Sequence, residues 1–232
     1  MNVLSVASMI VYEDPELIVC HKPAGLAVQT ARLGDMDLEN GLKSYLAETQ
    51  QRQMPYLAVV HRLDQPVEGL LVFAKTPRAA KELNNQLTAG KIQKRYLAVT
   101  DHCPKDTDGT LTDYLRKDGK THISSVVQKN TPGAKLCRLS YRLTEKIPDP
   151  RVEGGVRYLL QIQLDTGRHH QIRVQMCHAG MPLVGDRKYY PGDRSGLPLG
   201  LCAAVLEFCH PVTGKRLQFQ IVPEGACFQG GR

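Results

Sequence analysis

The sequence predicts a single α+β unit, bilobed, built on a mixed and mainly antiparallel sheet. Short strand-like runs are separated by turn residues, only three segments have helical periodicity, and no internal repeat or low-complexity linker interrupts the 232 residues. Apolar residues form 42% of the chain, enough for one sizeable core or two lobes that share one. We therefore expect one domain, residues 1–232.

The N-terminal half is predicted to contain four strands and two helices. Apolar runs bounded by turn residues indicate strands at 8–12, 17–21, 58–61 and 69–76. The first helix lies within 37–53 and ends before Pro55, because Leu38, Leu42, Tyr45 and Leu46 share one helical face. The second helix begins at Pro77, a favoured first helical residue, and ends at Gly90.

The C-terminal half is predicted to be mostly strand. Residues 101–133 are polar, basic and rich in turns, with Asp108-Gly109 and Asp118-Gly119 as turn signals, so they favour hairpins. A helix is expected at 168–179, ending at Gly180. The remaining predicted strands are 92–100, a pair at 136–147 and 156–165 around a Pro/Gly-rich loop, and two within 201–222 around the turn 210–215.

The charge of the chain favours a polyanionic partner. Thirty Lys and Arg residues against 23 Asp and Glu give a formal net charge of +7, and the sequence pI is about 9.0. Such a balance is typical of many nucleic-acid-binding proteins, although charge alone identifies none. The prediction of a nucleic-acid partner therefore also needs the support of a functional site.

Cysteine usage and hydropathy exclude several other classes. Seven cysteines without a C-x-x-C pair argue against a disulfide framework and a zinc ribbon. The nearest metal-like arrangement, Cys177-His178 with Cys202 and Cys209-His210, is more simply explained by packing, so no metal is expected. No apolar run approaches the roughly 20 residues that cross a bilayer, and no secretory signal is evident. We expect a cytoplasmic protein without a membrane partner.

Four polar clusters remain as candidates for chemistry. The chain lacks G-x-S-x-G, G-x-x-x-x-G-K-[ST], H-E-x-x-H and G-x-G-x-x-G, so no nucleotide cofactor is expected. The clusters lie where predicted strands end, which is where loops gather reactive groups on a rigid frame. They are His21-Lys22-Pro23-Ala24-Gly25-Leu26, His61-Arg62-Leu63-Asp64-Gln65-Pro66, Lys94-Arg95-Tyr96-Leu97-Ala98-Val99 and Asp165-Thr166-Gly167-Arg168-His169-His170-Gln171-Ile172-Arg173.

Each cluster also has a purely structural interpretation when it is taken alone. Asp64 would stabilise the turn before Pro66, and Tyr96 would be an ordinary half-buried strand tyrosine. The basic run around Arg168 would be a solvated helix end, and Lys22 would be an exposed turn lysine. Their order and spacing along one chain give the stronger signal.

Taken together, the four clusters resemble the RluA-type family of RNA pseudouridine synthases over nearly the whole chain. The resemblance also includes Gly69-Leu70-Leu71-Val72-Phe73-Ala74-Lys75, Gly180-Met181-Pro182-Leu183-Val184-Gly185-Asp186 and His210-Pro211-Val212-Thr213-Gly214. It implies a catalytic domain of the pseudouridine synthase type, with a central RNA-binding cleft. The implied reaction isomerises uridine in RNA without a cofactor, by cleavage at N1 and reattachment through C5.

The resemblance also implies roles for individual residues. Asp64 would be the catalytic aspartate, and Arg173 would pair with its carboxylate, which favours the charged form. Tyr96 would pack against the target base beside Ile172. Arg62 would help to flip the nucleotide, since a stacked base is inaccessible.

We expect the catalytic unit itself to bind the RNA, because the S4-like RNA-binding domain that precedes many relatives is not found in this sequence. The candidate cations are Lys22, Arg95, Arg116, Lys117, Lys120, Arg168 and Lys188, with His170 as a further substrate-binding residue. We expect a tRNA or rRNA substrate, a monomer and no obligatory protein partner.

Two departures from the family pattern leave alternatives open. Val67-Glu68 replaces a usual small polar pair, and an inward-facing Glu68 would oppose the charge of Asp64, so we expect it to face solvent or pair with a cation. Cys202-Ala203-Ala204 stands where a histidine is frequent. The first departure suggests an inactive RNA-binding protein as an alternative. A glycosidic hydrolase is a third interpretation, although no second carboxylate is evident near Asp64.

Overall fold

The computed structural model describes residues 6–30, 36–51, 53–149 and 155–229, which form a mixed α+β protein with mostly antiparallel sheet, as predicted. The helices are α1 (Leu38–Thr49), α2 (Pro77–Thr88) and α3 (Gln171–His178). The strands are β1 (Ile10–Glu13), β2 (Leu17–Lys22), β3 (Ala58–Val59), β4 (Glu68–Ala74), β5 (Gln93–Thr100), β6 (Asp108–Lys117), β7 (Ser124–Val126), β8 (Lys135–Pro148), β9 (Val156–Leu164), β10 (Leu201–Cys209) and β11 (Arg216–Gln220).

The chain divides into two compact units. The first comprises Met1–Lys94 and Ala203–Pro223, and the second comprises Arg95–Cys202 and Glu224–Arg232. The assignment of residues 1–232 to one catalytic domain stays a prediction. No helix among the described residues combines the length and the apolar character that a membrane span needs.

The first unit is a sheet with a helix packed on it. Its strands follow the order β1-β2-β4-β10, with β3 paired to β4 and β11 paired to β10. The paired strands β1–β2, β2–β4 and β10–β11 are antiparallel. Strand β4 is buried along its whole length, and α2 contributes Ala79, Ala80 and Leu83 to the core beneath it. This buried strand carries the polypeptide away from the Asp64 turn.

The second unit is an antiparallel sheet in the order β5-β9-β8-β6-β7. Helix α3 packs beside β6 and β7, where Val174 joins Leu115 and Cys137 in a small core. A short 3₁₀ helix, Ala226–Phe228, packs near β5 through Cys227 and Val99. The helix that carries Arg173 is thus fixed on one face of a sheet.

Local signals predicted α2 well. Thr76 caps its N-terminus by accepting a hydrogen bond of 3.1 Å from the Ala79 N–H, Pro77 is the first helical residue, and Gly90 adopts a positive φ of 68° after its end. The predicted end of α1 before Pro55 is also confirmed, with Asp37 as its N-cap.

Other predicted boundaries were wrong by a few residues. Residues 6–9 form a helical turn rather than the start of a strand, and the strand at 58–61 is only Ala58–Val59. Asp108-Gly109 opens strand β6 instead of making a turn. A Cβ at Gly109 would lie 2.9 Å from the Tyr141 ring, so close packing across the sheet explains this glycine. Residues 150–154 of the loop predicted at 148–155 lie outside the described residues.

Candidate active site

Asp64 lies in the connection between β3 and β4 of the first unit. Along this segment His61 and Leu63 are buried, Arg62 is exposed and Asp64 is half-buried. The buried Leu63 therefore alternates with its more exposed neighbours Arg62 and Asp64. The carbonyl of Asp64 accepts a hydrogen bond of 3.0 Å from the Val67 N–H, which closes the turn before β4.

The side chain of Lys22 stabilises this turn. Its side chain is fully buried, and its ammonium donates hydrogen bonds of 2.9, 2.8 and 3.1 Å to the carbonyls of Pro23, Leu26 and Gln65. The interpretation of Lys22 as an exposed turn lysine is therefore wrong, because its side chain is buried and its ammonium is bound by main-chain carbonyls. Its predicted contact with RNA stays a prediction. Lys22 joins the 22–26 segment to the aspartate turn.

A second set of bonds joins the same two segments. The Gly25 N–H donates to the Gln65 carbonyl at 2.9 Å, and the Gln65 side-chain amide donates to the Gly25 carbonyl at 3.0 Å. Gly25 has a φ of +87°, which L side chains rarely adopt. The main chain on the C-terminal side of Asp64 is consequently held at Gln65 by both Lys22 and Gly25.

Gly69 marks the tightest packing next to the aspartate turn. Its φ is +144°, and a Cβ there would lie 2.6 Å from the Ala203 main-chain nitrogen. Only glycine permits this approach of β4 to β10. The structure thus explains both this glycine and the small residue Ala203.

Glu68, the departure nearest to Asp64, is buried rather than exposed to solvent. Its Oε1 lies 2.9 Å from Nε2 of His21 on the neighbouring strand β2. Of the two alternatives expected for Glu68, burial excludes exposure to solvent, and the His21 imidazole, a cation when protonated, lies where the expected cationic partner would be. The His21 imidazole thus gives the buried Glu68 carboxylate a hydrogen-bonding partner on the neighbouring strand.

Two basic groups near the turn are electrostatically perturbed. His61 is buried, and both of its ring nitrogens lack a hydrogen-bond partner among the described residues. Burial, together with repulsion from Lys94, lowers the pKa of His61 well below its usual 6.5. Burial also lowers the pKa of Lys94 to about 8. The segment before Asp64 therefore contains a neutral imidazole at pH 7.

Arg173 occupies a different kind of site in the second unit, on helix α3. Its Nε and Nη2 donate hydrogen bonds of 2.8 and 2.7 Å to the two carboxylate oxygens of Asp186. Both side chains are almost completely buried, and the guanidinium carbon lies 5.1 Å from the centre of the Tyr189 ring. Sequence reasoning identified Arg173 but missed Asp186 and Tyr189, although Asp186 lies in a segment of the family resemblance.

The turn before α3 holds the other predicted substrate-binding residues. Arg168 is exposed, and its Nε donates to the Leu136 carbonyl at 3.0 Å. His170 has a φ of +53° at the N-cap. Its ring stacks on the His169 ring, with the two ring centres 3.7 Å apart. The predicted start of the helix at 168 is wrong by three residues, because the Gln171 side chain accepts from the Arg168 N–H at 3.0 Å and stabilises a turn there.

The two predicted base-contacting residues, Tyr96 and Ile172, are both in the second unit and nearly buried, with 7% and 4% of their surface exposed. Tyr96 lies on β5, opposite Ile162 of β9. Ile172 lies next to Arg173 in the first turn of α3. Their roles toward a base stay predictions.

Most of the predicted RNA-binding cations lie on exposed parts of the second unit. Lys188 donates to the His122 carbonyl at 3.0 Å, which brings it to the tip of the β6–β7 hairpin. Arg95 is half-buried. The exposed candidates are Arg116, Lys117, Lys120, Arg168 and Lys188.

Comparison with known proteins gives consistent results. The family model described as RNA pseudouridylate synthase matches residues 16–178. An uncharacterised RNA pseudouridine synthase of Bacillus subtilis is 34% identical over 217 residues, which cover 91% of this chain and 67% of that protein. The ribosomal large subunit pseudouridine synthase D of Xylella fastidiosa is 34% identical over an alignment of 236 residues, which covers 94% of this chain and 67% of that protein. The chain thus spans about two thirds of the length of these relatives.

A shorter relative and a solved structure extend the comparison. The tRNA pseudouridine synthase C of Vibrio cholerae is 30% identical over 220 residues, which cover 90% of this chain and 88% of that protein. The structure of human RNA pseudouridylate synthase domain containing 4 superimposes with a TM-score of 0.76 at 21% identity, covering 96% and 91% of the two chains. The structural match supports the fold.

Proposed function

The chain belongs to the RNA pseudouridylate synthase family, and from this premise we propose that Asp64 is the nucleophile with which it isomerises uridine in tRNA or rRNA. The enzyme is an RNA pseudouridine synthase, an isomerase. The observation that carries the assignment to Asp64 is its place in a turn whose main chain is fixed by Lys22 and Gly25. A fixed main chain gives a short carboxylate a defined position.

The reaction needs no net change in composition. The N1–C1′ bond of uridine breaks and a C5–C1′ bond forms, while the proton on C5 leaves and N1 gains one. Asp64 attacks C1′, adds to the ring or assists a glycal intermediate, and in each case its carboxylate stands beside the ribose. A half-buried carboxylate in a fixed turn suits all three routes.

Arg173 is proposed as the partner that holds the charge of Asp64. A guanidinium remains protonated at all relevant pH values and binds carboxylates through paired donors. Arg173 shows this mode of binding toward Asp186 in the second unit. A cation beside Asp64 favours its ionised form, which a nucleophile requires.

Base flipping is proposed for the recognition step. Extraction of a stacked uridine costs a few kcal/mol, which phosphate and stacking contacts offset. Arg62 is exposed, two residues before Asp64, and is proposed to occupy the space that the base leaves. Tyr96 and Ile172 are proposed to line the base pocket, and Arg168 and His170 to bind the RNA backbone. We also propose that the chain acts as a monomer without an obligatory protein partner.

An inactive RNA-binding protein is not favoured. That alternative rested on the Val67-Glu68 pair, and Glu68 lies against His21. The relatives that match the chain are described as pseudouridine synthases.

The proposal is tested with transcripts and total tRNA and rRNA that carry tritium at C5 of uridine. Isomerisation releases this tritium into water, because C5 exchanges its hydrogen for the bond to C1′. We expect release by the wild type and a fall of about a thousandfold or more for Asp64→Asn. Asp101→Asn, which removes an exposed carboxylate paired with His102, serves as the control and should release tritium at the wild-type rate. Equal rates for the wild type and Asp64→Asn would refute the role of Asp64, and free uracil as the product would indicate a hydrolase.

A further inference from the structure

Asp186 is among the most deeply buried charged residues of the described chain, with 1% of its surface exposed. A buried carboxylate is costly unless it is paired and hydrogen-bonded. Here both oxygens receive donors from the guanidinium of Arg173. Both residues of this pair therefore need the other in order to remain buried.

The Asp186 carboxylate is itself fixed by its own turn. Its Oδ1 also accepts from the main-chain N–H groups of Lys188 and Tyr189, each at 3.2 Å. The preceding Gly185 has a φ of +74°, and a Cβ there would lie 2.2 Å from the Pro198 carbonyl oxygen. The turn is consequently tightly packed, and the carboxylate can act as a fixed reference point for Arg173.

Tyr189 restrains the same guanidinium from its face. The guanidinium carbon lies over the Tyr189 ring. The Tyr189 hydroxyl accepts from the Ser124 N–H at 3.0 Å and shares a hydrogen bond of 2.6 Å with Nδ1 of His170. The ring is thus anchored to strand β7 and to the N-cap of α3.

We propose that Asp186 is a positioning residue for the isomerisation, which holds the guanidinium plane of Arg173 in the orientation that the reaction needs. This inference rests on the proposed role of Arg173. The guanidinium is planar and rigid, so contact of Nε and Nη2 with the carboxylate also fixes the direction of Nη1. Tyr189 restricts rotation of this plane about the remaining axis.

Asp113 provides a control that distinguishes the positioning of Arg173 from a purely structural role of the Asp186–Arg173 ion pair. Asp113 on β6 also anchors α3: its Oδ2 accepts from the Gln175 side chain at 2.8 Å, and its Oδ1 lies 3.2 Å from Nδ1 of His178. It does so without taking part in the Asp186–Arg173 pair. A change there loosens the same helix and leaves that pair in place.

The experiment compares Asp186→Asn and Asp186→Glu with Asp113→Asn and Asp113→Glu under single-turnover conditions on the RNA that the wild type modifies. We expect both Asp186 variants to lose about 10- to 100-fold in the rate of conversion, since a misplacement near 1 Å has effects of this size. Their Kd for RNA should stay within about threefold, because the change affects orientation rather than RNA contacts. The Asp113 variants should keep both the rate and the Kd.

A double-mutant cycle adds a readout that a structural role would not change. Lysine presents a point charge without a plane, so Asp186→Asn should cost much less in an Arg173→Lys background than in the wild type. Equal costs in both backgrounds, wild-type rates for folded Asp186 variants, or equal losses for Asp113 and Asp186 variants would overturn the proposal. Failure of both Asp186 variants to fold while both Asp113 variants fold would also overturn it, since Asp186 would then act in folding.

The proposed function is tested separately within the same experiment. Wild type and Asp64→Asn are included, and their difference does not depend on Asp186. If Asp64→Asn is inactive while the Asp186 variants match the wild type, only the positioning role fails. If wild type and Asp64→Asn are equal, the proposed function fails.

Discussion

Two buried cations, Lys22 in the first unit and Arg173 in the second, are fixed in different ways. In the first unit the Lys22 ammonium binds three main-chain carbonyls and so stabilises the path of the chain at the Asp64 turn. In the second unit the Arg173 guanidinium binds a carboxylate and lies over an aromatic ring, so a side chain is oriented. The Lys22 ammonium uses three rotatable donors on separate carbonyls, whereas the planar Arg173 guanidinium binds one carboxylate through two parallel donors.

This difference separates two requirements of the proposed site. A short aspartate is placed by its main chain, and a long arginine must be placed by contacts along its side chain. The lysine in this comparison is therefore expected to matter for folding, whereas the pair around Arg173 is expected to matter for the rate. Loss of the Lys22 ammonium is therefore expected to cost more stability than substitution of His61 or Lys94, the two perturbed basic residues of the same unit.

The largest effect is expected for Lys22→Met. The change removes an ammonium that satisfies three carbonyls and leaves buried acceptors behind, so we expect the free energy of unfolding to fall by about 3 kcal/mol or more. Urea unfolding at pH 7 measures it. Lys43→Met, which breaks only the surface pair with Glu39, should cost less than about 1 kcal/mol. A Lys22→Met variant as stable as Lys43→Met would contradict a structural role for Lys22.

A smaller, pH-dependent effect is expected for His61→Phe. The pKa of His61 lies well below 6.5 in the folded protein, so below about pH 6.5 the unfolded chain binds a proton that the folded protein does not, and stability is lost as the pH falls. Relative to the His61→Phe variant, the wild type should lose about 1–2 kcal/mol between pH 7 and pH 5. At pH 7 the variant should be at least as stable, because both ring nitrogens lack partners among the described residues.

The His61 prediction is checked by urea unfolding of the wild type and His61→Phe at both pH values. His122→Gln, at an exposed position with a positive φ, is the control for removal of an imidazole from the surface. A difference between wild type and His61→Phe that does not vary with pH would contradict a neutral buried imidazole.

The smallest effect is expected for Lys94→Met. The pKa of Lys94 is lowered to about 8 by burial, so the folded protein loses this proton before the unfolded chain does, and stability rises as the pH increases from about 8 to about 10.5. Below pH 8 the cost of the half-buried charge is fully present. We expect Lys94→Met to be more stable than the wild type by about 1 kcal/mol at pH 7, after allowance for solvent screening.

This advantage of Lys94→Met should disappear near pH 10. Unfolding free energies at pH 7 and pH 10 measure it, with Lys91→Met at a neighbouring exposed position as the control. An advantage of the same size at both pH values would show that the ammonium of Lys94 is not destabilising.

Sequence reasoning succeeded where the signals were local. The cap, first residue and terminating glycine of α2 lie within 15 positions, and each acts on the main chain beside it. The β8–β9 pair of the second unit joins neighbouring segments of the chain and was predicted as a strand pair. The ordered motifs around Asp64 and Arg173 were sufficient to identify the family.

Long-range contacts account for what was missed. A lysine before Pro23 is typical of an exposed turn, and its burial depends on the Gln65 carbonyl 43 positions away. Asp186 lies in a loop without periodicity, so its contact with Arg173 had no pattern to indicate it. Gly109 resembles a turn glycine, but it fits against Tyr141 across the sheet. Such partners depend on the tertiary fold rather than on local sequence.

The most direct test of the account is identification of the product nucleoside formed by wild type and Asp64→Asn of equal stability. RNA incubated with each protein is digested to nucleosides and separated by chromatography with mass detection. We predict that the wild type converts uridine into a species of unchanged mass and the retention of pseudouridine, whereas Asp64→Asn unfolds within about 0.5 kcal/mol of the wild type and forms none. Formation of pseudouridine by a folded Asp64→Asn protein at the wild-type rate would contradict the account.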